Sequence, residues 1–541
     1  MQAQTGQPTF LERFFKLREK NTTVRTEIIA GFTTFIALAY IMFVNPNILA
    51  DAGVPKEAAI ASTIWIAALS TMAMGIFANY PVALAPGMGL NAFFAYYVCG
   101  VLHLHWTVAL GAVFFSGVLF LILTVSHVRQ AIINAVPQNL RVAIGVGIGL
   151  FIAFVGLKGT GLIISDPATF ITLGHITQPT TALSLFGLLF TGALMAREVQ
   201  GAILLGIVAT TLLSMILGYA PVPHGFADVI STSLPHMGET FGKLDIAGAW
   251  NYGIVSIIFT FTIVELFDNM GTLIGLTSKA KMVKPNGEIE NLDRALTTDA
   301  IGTICSALFG TSTVTSYIES AAGIAAGGKT GLTAVTVAVL FLVSLFFAPL
   351  IGLVPGFATA PPLILVGALM MADVGKINFA DFTDGLPAFL TIIMMPLTSS
   401  IANGFAFGFI SFAFIKTLGG KAREVSLIMW LVSIALVAAA LPLWIWGVIV
   451  IVAFTSFSIN LYREVFYPVM SKVSTTTPGP YETLKPAPLG SYIEPKIGFA
   501  TAIEIARKEA VQLGIKTEAG GIWYGGDFPF YNVSFFDPDD E

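Results

Sequence analysis

The chain has 541 residues, is 55% hydrophobic and 11% charged, and has a mean hydropathy of +0.82. Soluble globular domains carry about 25% charged residues, so this balance excludes one and points to a polytopic protein in a lipid bilayer. A net charge of −5 without a basic stripe leaves no footprint for nucleic acid. Cys99 and Cys305 are the two cysteines, both in apolar stretches, where they read as small buried residues and indicate neither a disulfide framework nor a metal site.

Residues 1–27 form a polar arm with Arg13, Lys16, Arg18, Lys20 and Arg25 directly before the first apolar run. This predicts a cytoplasmic N-terminus at the cell (inner) membrane, with no cleavable signal peptide. Hydropathy places spans near 28–49, 57–78, 85–102, 106–125, 141–163, 180–196 and 199–218, the first ended by the breaker Asn45-Pro46-Asn47. These seven make a first repeat over 28–218. A polar connector, 219–252, holds Lys243 as its one Lys or Arg and is expected outside. A second repeat, 253–418, carries seven more spans near 253–277, 295–310, 313–326, 331–353, 360–373, 386–401 and 403–416.

Threading these spans puts Arg129, Arg141, Arg197, the loop from Lys279 to Arg294, Lys329, Lys376, Lys416, Lys421 and Arg423 inside, with Lys56, Lys158 and Lys243 as exceptions. An odd number of spans per repeat forces the second repeat to enter the membrane with opposite orientation. A shift of about 227 residues supports this, laying Phe32-Thr33-Thr34-Phe35 over Phe259-Thr260-Phe261-Thr262 and, within one residue, Asn91 over Glu319.

Polar groups enter the apolar pattern at three places. Glu265 and Asp268, in VELFDNMGTLIG (Val264–Gly275), are three residues apart and share one helix face about a turn from each other. APGMGLNAFFAYY (Ala85–Tyr97) opens with Pro and Gly and carries Asn91; GTSTVTSYIESAAGIAAGGK (Gly310–Lys329) is rich in small and hydroxyl residues around Glu319. A charged carboxylate at bilayer depth costs about 2.5–3.5 kcal/mol or more, so such groups face a partner or a cavity and mark a substrate or proton path. Broken backbone at that depth is tolerated where it lines a cavity or is buried in protein, and a pair of such segments in two repeats points to a binding site. The plainer readings are carboxylates bonded to backbone within a bundle, an Asn that joins helices, and Phe93, Phe94 and Tyr96 as packing residues rather than a stacking wall. Asp299 reads equally as a solvated helix-end residue or a participant.

Carboxylates with no Lys or Arg nearby disfavour an anion and suit a cation or a neutral ligand with several N–H donors on a flat face. Removal from water favours the neutral form of a carboxylate, so one of them is suited to loading a proton with the substrate.

At these residues the chain resembles the nucleobase-ascorbate transporter superfamily, specifically its AzgA-like purine permease branch. The strings that carry the resemblance are IAGFTTFIALAYIMFVNPNIL (Ile29–Leu49), APGMGLNAFFAY (Ala85–Tyr96), ELFDNMGTLIG (Glu265–Gly275) and GTSTVTSYIESAAGIAAGGKTGLTA (Gly310–Ala334). The resemblance covers roughly residues 10–440 and implies an all-α polytopic fold of fourteen spans, a 7+7 inverted repeat with core and gate domains and short antiparallel strands in the third and tenth spans. It further implies elevator-like, proton-coupled uptake of a purine base such as adenine, guanine or hypoxanthine, with no cofactor and protons as the coupling ion. The implied binding positions are Asn91, Glu265, Asp268 and Glu319, with Glu265, Asp268 and Glu319 as proton-coupling candidates. The first acidic position is commonly Asp in this branch, so Glu265 bears on pocket size and purine preference.

The C-terminal part adds an extra membrane segment over 426–462, a Pro-rich linker at 463–497, and over 498–541 a short amphipathic helix followed by a hairpin with alternating Trp523, Phe528, Tyr531, Val533 and Phe535. This small α+β tail resembles the start of a PepSY-type membrane protein. Two other readings stay open: the same fold carrying uracil, xanthine or an organic anion, and a membrane redox or receptor protein working through its tail, for which no His or Cys pair at bilayer depth supplies a cofactor-ligand set. A homodimer also stays open.

Overall fold

A computed structural model describes residues 9–126, 135–231, 233, 235–251, 255–283, 289–440, 518–524 and 531–536. The chain divides into two units, Met1–Asn460 and Leu461–Glu541.

Nine helices in the first unit are long and apolar enough to cross a bilayer, and three shorter apolar ones, Met88–Val101, Ala202–Ile216 and Phe382–Leu397, lie between them. The more polar helix Leu292–Phe309 and the strand-plus-helix segment Val314–Ala325 complete fourteen membrane segments among the described residues. In chain order the helices are α1 (Phe10–Phe14), α2 (Val24–Leu38), α3 (Ile41–Asp51), α4 (Lys56–Ala73), α5 (Met88–Ala92), α6 (Trp106–Val125), α7 (Gln138–Gly159), α8 (Pro179–Ala196), α9 (Ala202–Ile216), α10 (Ile246–Asn251), α11 (Val255–Lys279), α12 (Leu292–Phe309), α13 (Ser320–Ala325), α14 (Gly331–Ser344), α15 (Ala348–Gly352), α16 (Gly356–Met370), α17 (Phe382–Leu397), α18 (Ile401–Leu418) and α19 (Leu427–Ala440). The strands are β1 (Leu84–Pro86), β2 (Ile163–Asp166), β3 (Phe170–Leu173), β4 (Val314–Ser316), β5 (Glu518–Tyr524) and β6 (Tyr531–Phe536).

The order helix, helix, strand with short helix, then four helices runs from α2 to α9 and again from α11 to α18. Packing repeats with it. α4 lies on α14 as α12 lies on α6, and α2 lies on α14 as α11 lies on α6. These elements form one bundle. α7, α8, α9, α16, α17 and α18 form a second, in which α16 packs on α7 and α8, and α17 on α7 and α18. This is the 7+7 inverted repeat, with core and gate bundles.

The two repeats meet at strands β1 and β4, which pair antiparallel with Leu84 opposite Ser316 and Pro86 opposite Val314. Both are fully buried, and pairing satisfies extended backbone where neither water nor lipid can. Gly87 N–H extends the ladder to the Thr313 carbonyl at 3.0 Å. A Cβ at Gly87 would stand 2.6 Å from the Thr315 methyl, so only glycine lets the strands close there. Gly331 similarly admits the Gly75 carbonyl, 1.9 Å from where a Cβ would sit, and brings α14 onto the wide turn that extends α4.

The first span differs from expectation. Pro46 sits inside α3 instead of ending the helix, which continues to Asp51, and the chain breaks earlier, at Ala39-Tyr40. Asn47 Nδ2 donates to the Phe43 carbonyl at 2.9 Å beside the proline, and Asn45 Nδ2 donates to Thr63 and Thr311 at 2.7 and 3.1 Å. The motif is thus a polar knot joining α3 to its neighbours through the two Asn side chains, with Pro46 carried inside the helix.

The N-terminal arm is tied to the first bundle: Lys20 pairs with Glu290 at 2.5 Å, and Asn79 Nδ2 donates to the Phe15 carbonyl at 3.2 Å. After α7 comes the hairpin β2–β3, mostly within the stretch between the spans expected at 141–163 and 180–196. α19 packs on α18 and α11, within the expected extra segment, whose remainder lies outside the described residues. In the second unit β5 and β6 form the hairpin read from the alternating aromatics. The linker at 463–497 and the amphipathic helix before the hairpin lie outside the described residues.

Candidate functional site

A cavity of about 180 Å³ opens between the two bundles. One wall is Tyr40, Asp268, Thr315 and Glu319 from the first bundle; the other is apolar, with Gly145 and Ile148 on α7 and Met370 on α16. No Lys, Arg or His is among its lining residues.

Each polar wall residue is placed by local chain chemistry. Tyr40 occupies the junction of α2 and α3, and its hydroxyl donates to Glu319 Oε1 at 2.5 Å. Glu319 precedes α13, immediately after the extended segment that includes β4. Thr315 lies within β4; its hydroxyl is 3.2 Å from Asp268 Oδ2 and 3.0 Å from Asn269 Oδ1, and its one hydrogen serves a single acceptor at a time. Tyr317 donates to the Pro86 carbonyl at 2.5 Å and so locks β4 to β1.

Glu265 and Asp268 share α11 but reach different surroundings. Asp268 lines the cavity, whereas Glu265 is fully buried behind it, accepting from the hydroxyls of Thr303 on α12 and, at 3.4 Å, Ser116 on α6. Asn91, on α5, is also fully buried away from the cavity wall; its Oδ1 accepts from the Ser312 hydroxyl, and its Nδ2 has no partner among the described residues. The structure thus brings Asp268 and Glu319 together at one cavity and sets Glu265 and Asn91 one layer back.

Asp299 is inside, not solvated. It is fully buried and accepts from Asn269 Nδ2 at 2.5 Å, because α12 enters the bundle nearer its start than hydropathy indicates. Asn269 is the joint of this layer, since its Oδ1 also accepts from the Ser316 N–H at 2.7 Å and holds β4 against α11. Phe93 packs edge-on against Phe261 and stacks on Tyr97, and Tyr96 donates to Asp51 at 2.8 Å, so these rings serve packing and leave the cavity wall to others.

Sequence reasoning passed over Tyr40, Asn269 and Thr315. Asn269 was adjacent to Asp268, and Thr315 lay in the hydroxyl-rich segment, but Tyr40 had no polar neighbour to mark it.

A profile of the permease family matches residues 25–407, through every element of the cavity. The chain belongs to the permease family. The permease is 45% identical over 423 residues to the adenine permease AdeP of Escherichia coli, covering 78% of this chain and 94% of that one. It is 44% identical over 419 residues to the guanine/hypoxanthine permease PbuO of Bacillus subtilis, covering 76% and 96%. Its fold is similar to the transmembrane domain of a cyanobacterial bicarbonate transporter, BicA, with a TM-score of 0.53 at 15% identity over 70% of this chain and 97% of that one. The permease is therefore a multi-pass membrane protein and not an enzyme, and its family match stops well before the second unit.

Proposed function

We propose that the permease imports a purine base together with protons, by movement of the first bundle against the second. The observation that carries this reading is the cavity itself, in which two carboxylates, a threonine hydroxyl and an apolar wall meet between the bundles with no basic residue. A purine offers ring and exocyclic N–H donors to Glu319 and Asp268 and a flat face to Ile148 and Met370. Relatives named as adenine and as guanine/hypoxanthine permeases support a purine without choosing among them. An anion, such as the bicarbonate carried by the similarly folded BicA, would meet two carboxylates and no compensating charge.

Glu319 and Asp268 contact the base in this proposal. Glu265, out of water among hydroxyls that serve as donor or acceptor, holds the coupled proton, and Asn91 braces Ser312 just ahead of β4. A proton on Glu265 lowers the charge that the loaded bundle carries past the apolar face of the second.

Proteoliposomes with an inward proton gradient test the proposal. Labelled adenine, guanine or hypoxanthine is expected to accumulate, faster at acidic than at alkaline external pH, and a protonophore is expected to abolish accumulation. No protonophore-sensitive uptake of any of the three would end the proposal.

A further inference from the structure

We infer that Tyr40 is the positioning residue of the site: its phenol fixes the Glu319 carboxylate in its substrate-accepting orientation, so that purine affinity and its pH dependence rest on this hydroxyl. The inference deepens the proposed function and rests on it.

Tyr40 and Glu319 are 279 positions apart in the chain and come from the first and second repeats. Tyr40 is fully buried, yet it lines the same cavity as Glu319, and its 2.5 Å contact to Oε1 is the one side-chain donor to Glu319 among the described residues. That contact engages Oε1, and the carboxylate keeps lone pairs with which to accept a ligand N–H. A hydroxyl donating to a carboxylate favours the charged form over the neutral one. It also fixes the rotation of the group, which otherwise costs entropy when a ligand binds.

Glu319's own backbone N–H also meets the carboxylate, but among the described residues no other side chain donates to it. Tyr317, the second phenol nearby, is committed to the Pro86 carbonyl, and Asp268, the nearest carboxylate, presents no donor when ionised. The second bundle faces the cavity with Gly145, Ile148, Ile152, Val366 and Met370, none of them titratable. Tyr40 is therefore placed to set the protonation and aim of Glu319 without itself needing to touch the base. It stands at the junction of α2 and α3, where the backbone keeps helical angles and its carbonyl accepts from the Val44 N–H at 3.1 Å.

The test is Tyr40→Phe, which keeps the ring and removes the hydroxyl. Purified protein is assayed for binding of labelled adenine, guanine and hypoxanthine from pH 5 to pH 9, with Tm followed alongside. Loss of a charge-assisted hydrogen bond is expected to weaken binding about tenfold or more at neutral pH. The acid limb of the binding profile is expected to move to higher pH, since the neutral form of Glu319 then competes earlier. Tyr317→Phe is the control; it is expected to lower Tm while leaving the acid limb in place. Wild-type affinity and an unmoved acid limb in Tyr40→Phe, with purine binding intact in the wild type, would overturn the inference. Equal displacement of the limb by both substitutions would do the same. Should the wild type bind no purine, it is the proposed function that fails.

Discussion

Two carboxylates on one helix face, one turn apart, occupy different environments because their side chains differ in direction and reach. Asp268 meets Thr315 at the cavity, and Glu265 meets Thr303 and Ser116 behind it. Glu319 is the residue whose loss is most directly read. Glu319→Gln keeps the shape but replaces the charged acceptor of the ligand N–H and the Tyr40 hydroxyl with a neutral amide. Purine affinity is expected to fall about tenfold to a hundredfold, with Tm changed by only a few degrees, as checked by ligand binding and thermal melting of the same preparation. Unchanged affinity would remove Glu319 from the site. Among these residues the acidic ones were legible in the sequence, because charge inside an apolar run is costly and conspicuous. Tyr40 was not: an aromatic residue in a hydrophobic span looks like packing until the partner across the repeat is known.

At the level of elements, the paired strands β1 and β4 organise the site, since their mutual hydrogen bonds let the chain run extended at membrane depth and turn Thr315 and Glu319 toward the second bundle. The opposing helix α7 contributes absence of bulk. Gly145 lines the cavity, and a Cβ there would meet no atom within 4 Å. Gly145→Phe is therefore expected to fold normally while filling the space a base would take, giving a Tm near that of the wild type and loss of purine binding. A collapse in Tm would show that the wall is closed around Gly145 after all. Pro and Gly at the strand starts announced the broken segments, whereas the hairpin β2–β3 escaped notice because a short exposed strand pair lacks the apolar alternation that marks a buried one.

At the scale of the whole molecule, the two bundles and their repeated packing make the cavity a junction between bodies rather than a pocket within one. The second unit begins after Asn460, beyond the residues that match the family. Truncation after Asn460 is expected to leave purine uptake within about twofold of the full chain in proteoliposomes, at equal reconstituted protein; loss of uptake with a stable, monodisperse protein would give the tail a part in transport. By itself the sequence determined the number of spans, their repeat and the acidic layer, because hydropathy and the cost of buried charge are local properties read along the chain. Only the tertiary structure decided which carboxylates reach the cavity and which stand behind it, and that Tyr40 holds Glu319. Those relations join residues hundreds of positions apart and depend on where side chains point once the two repeats interlock.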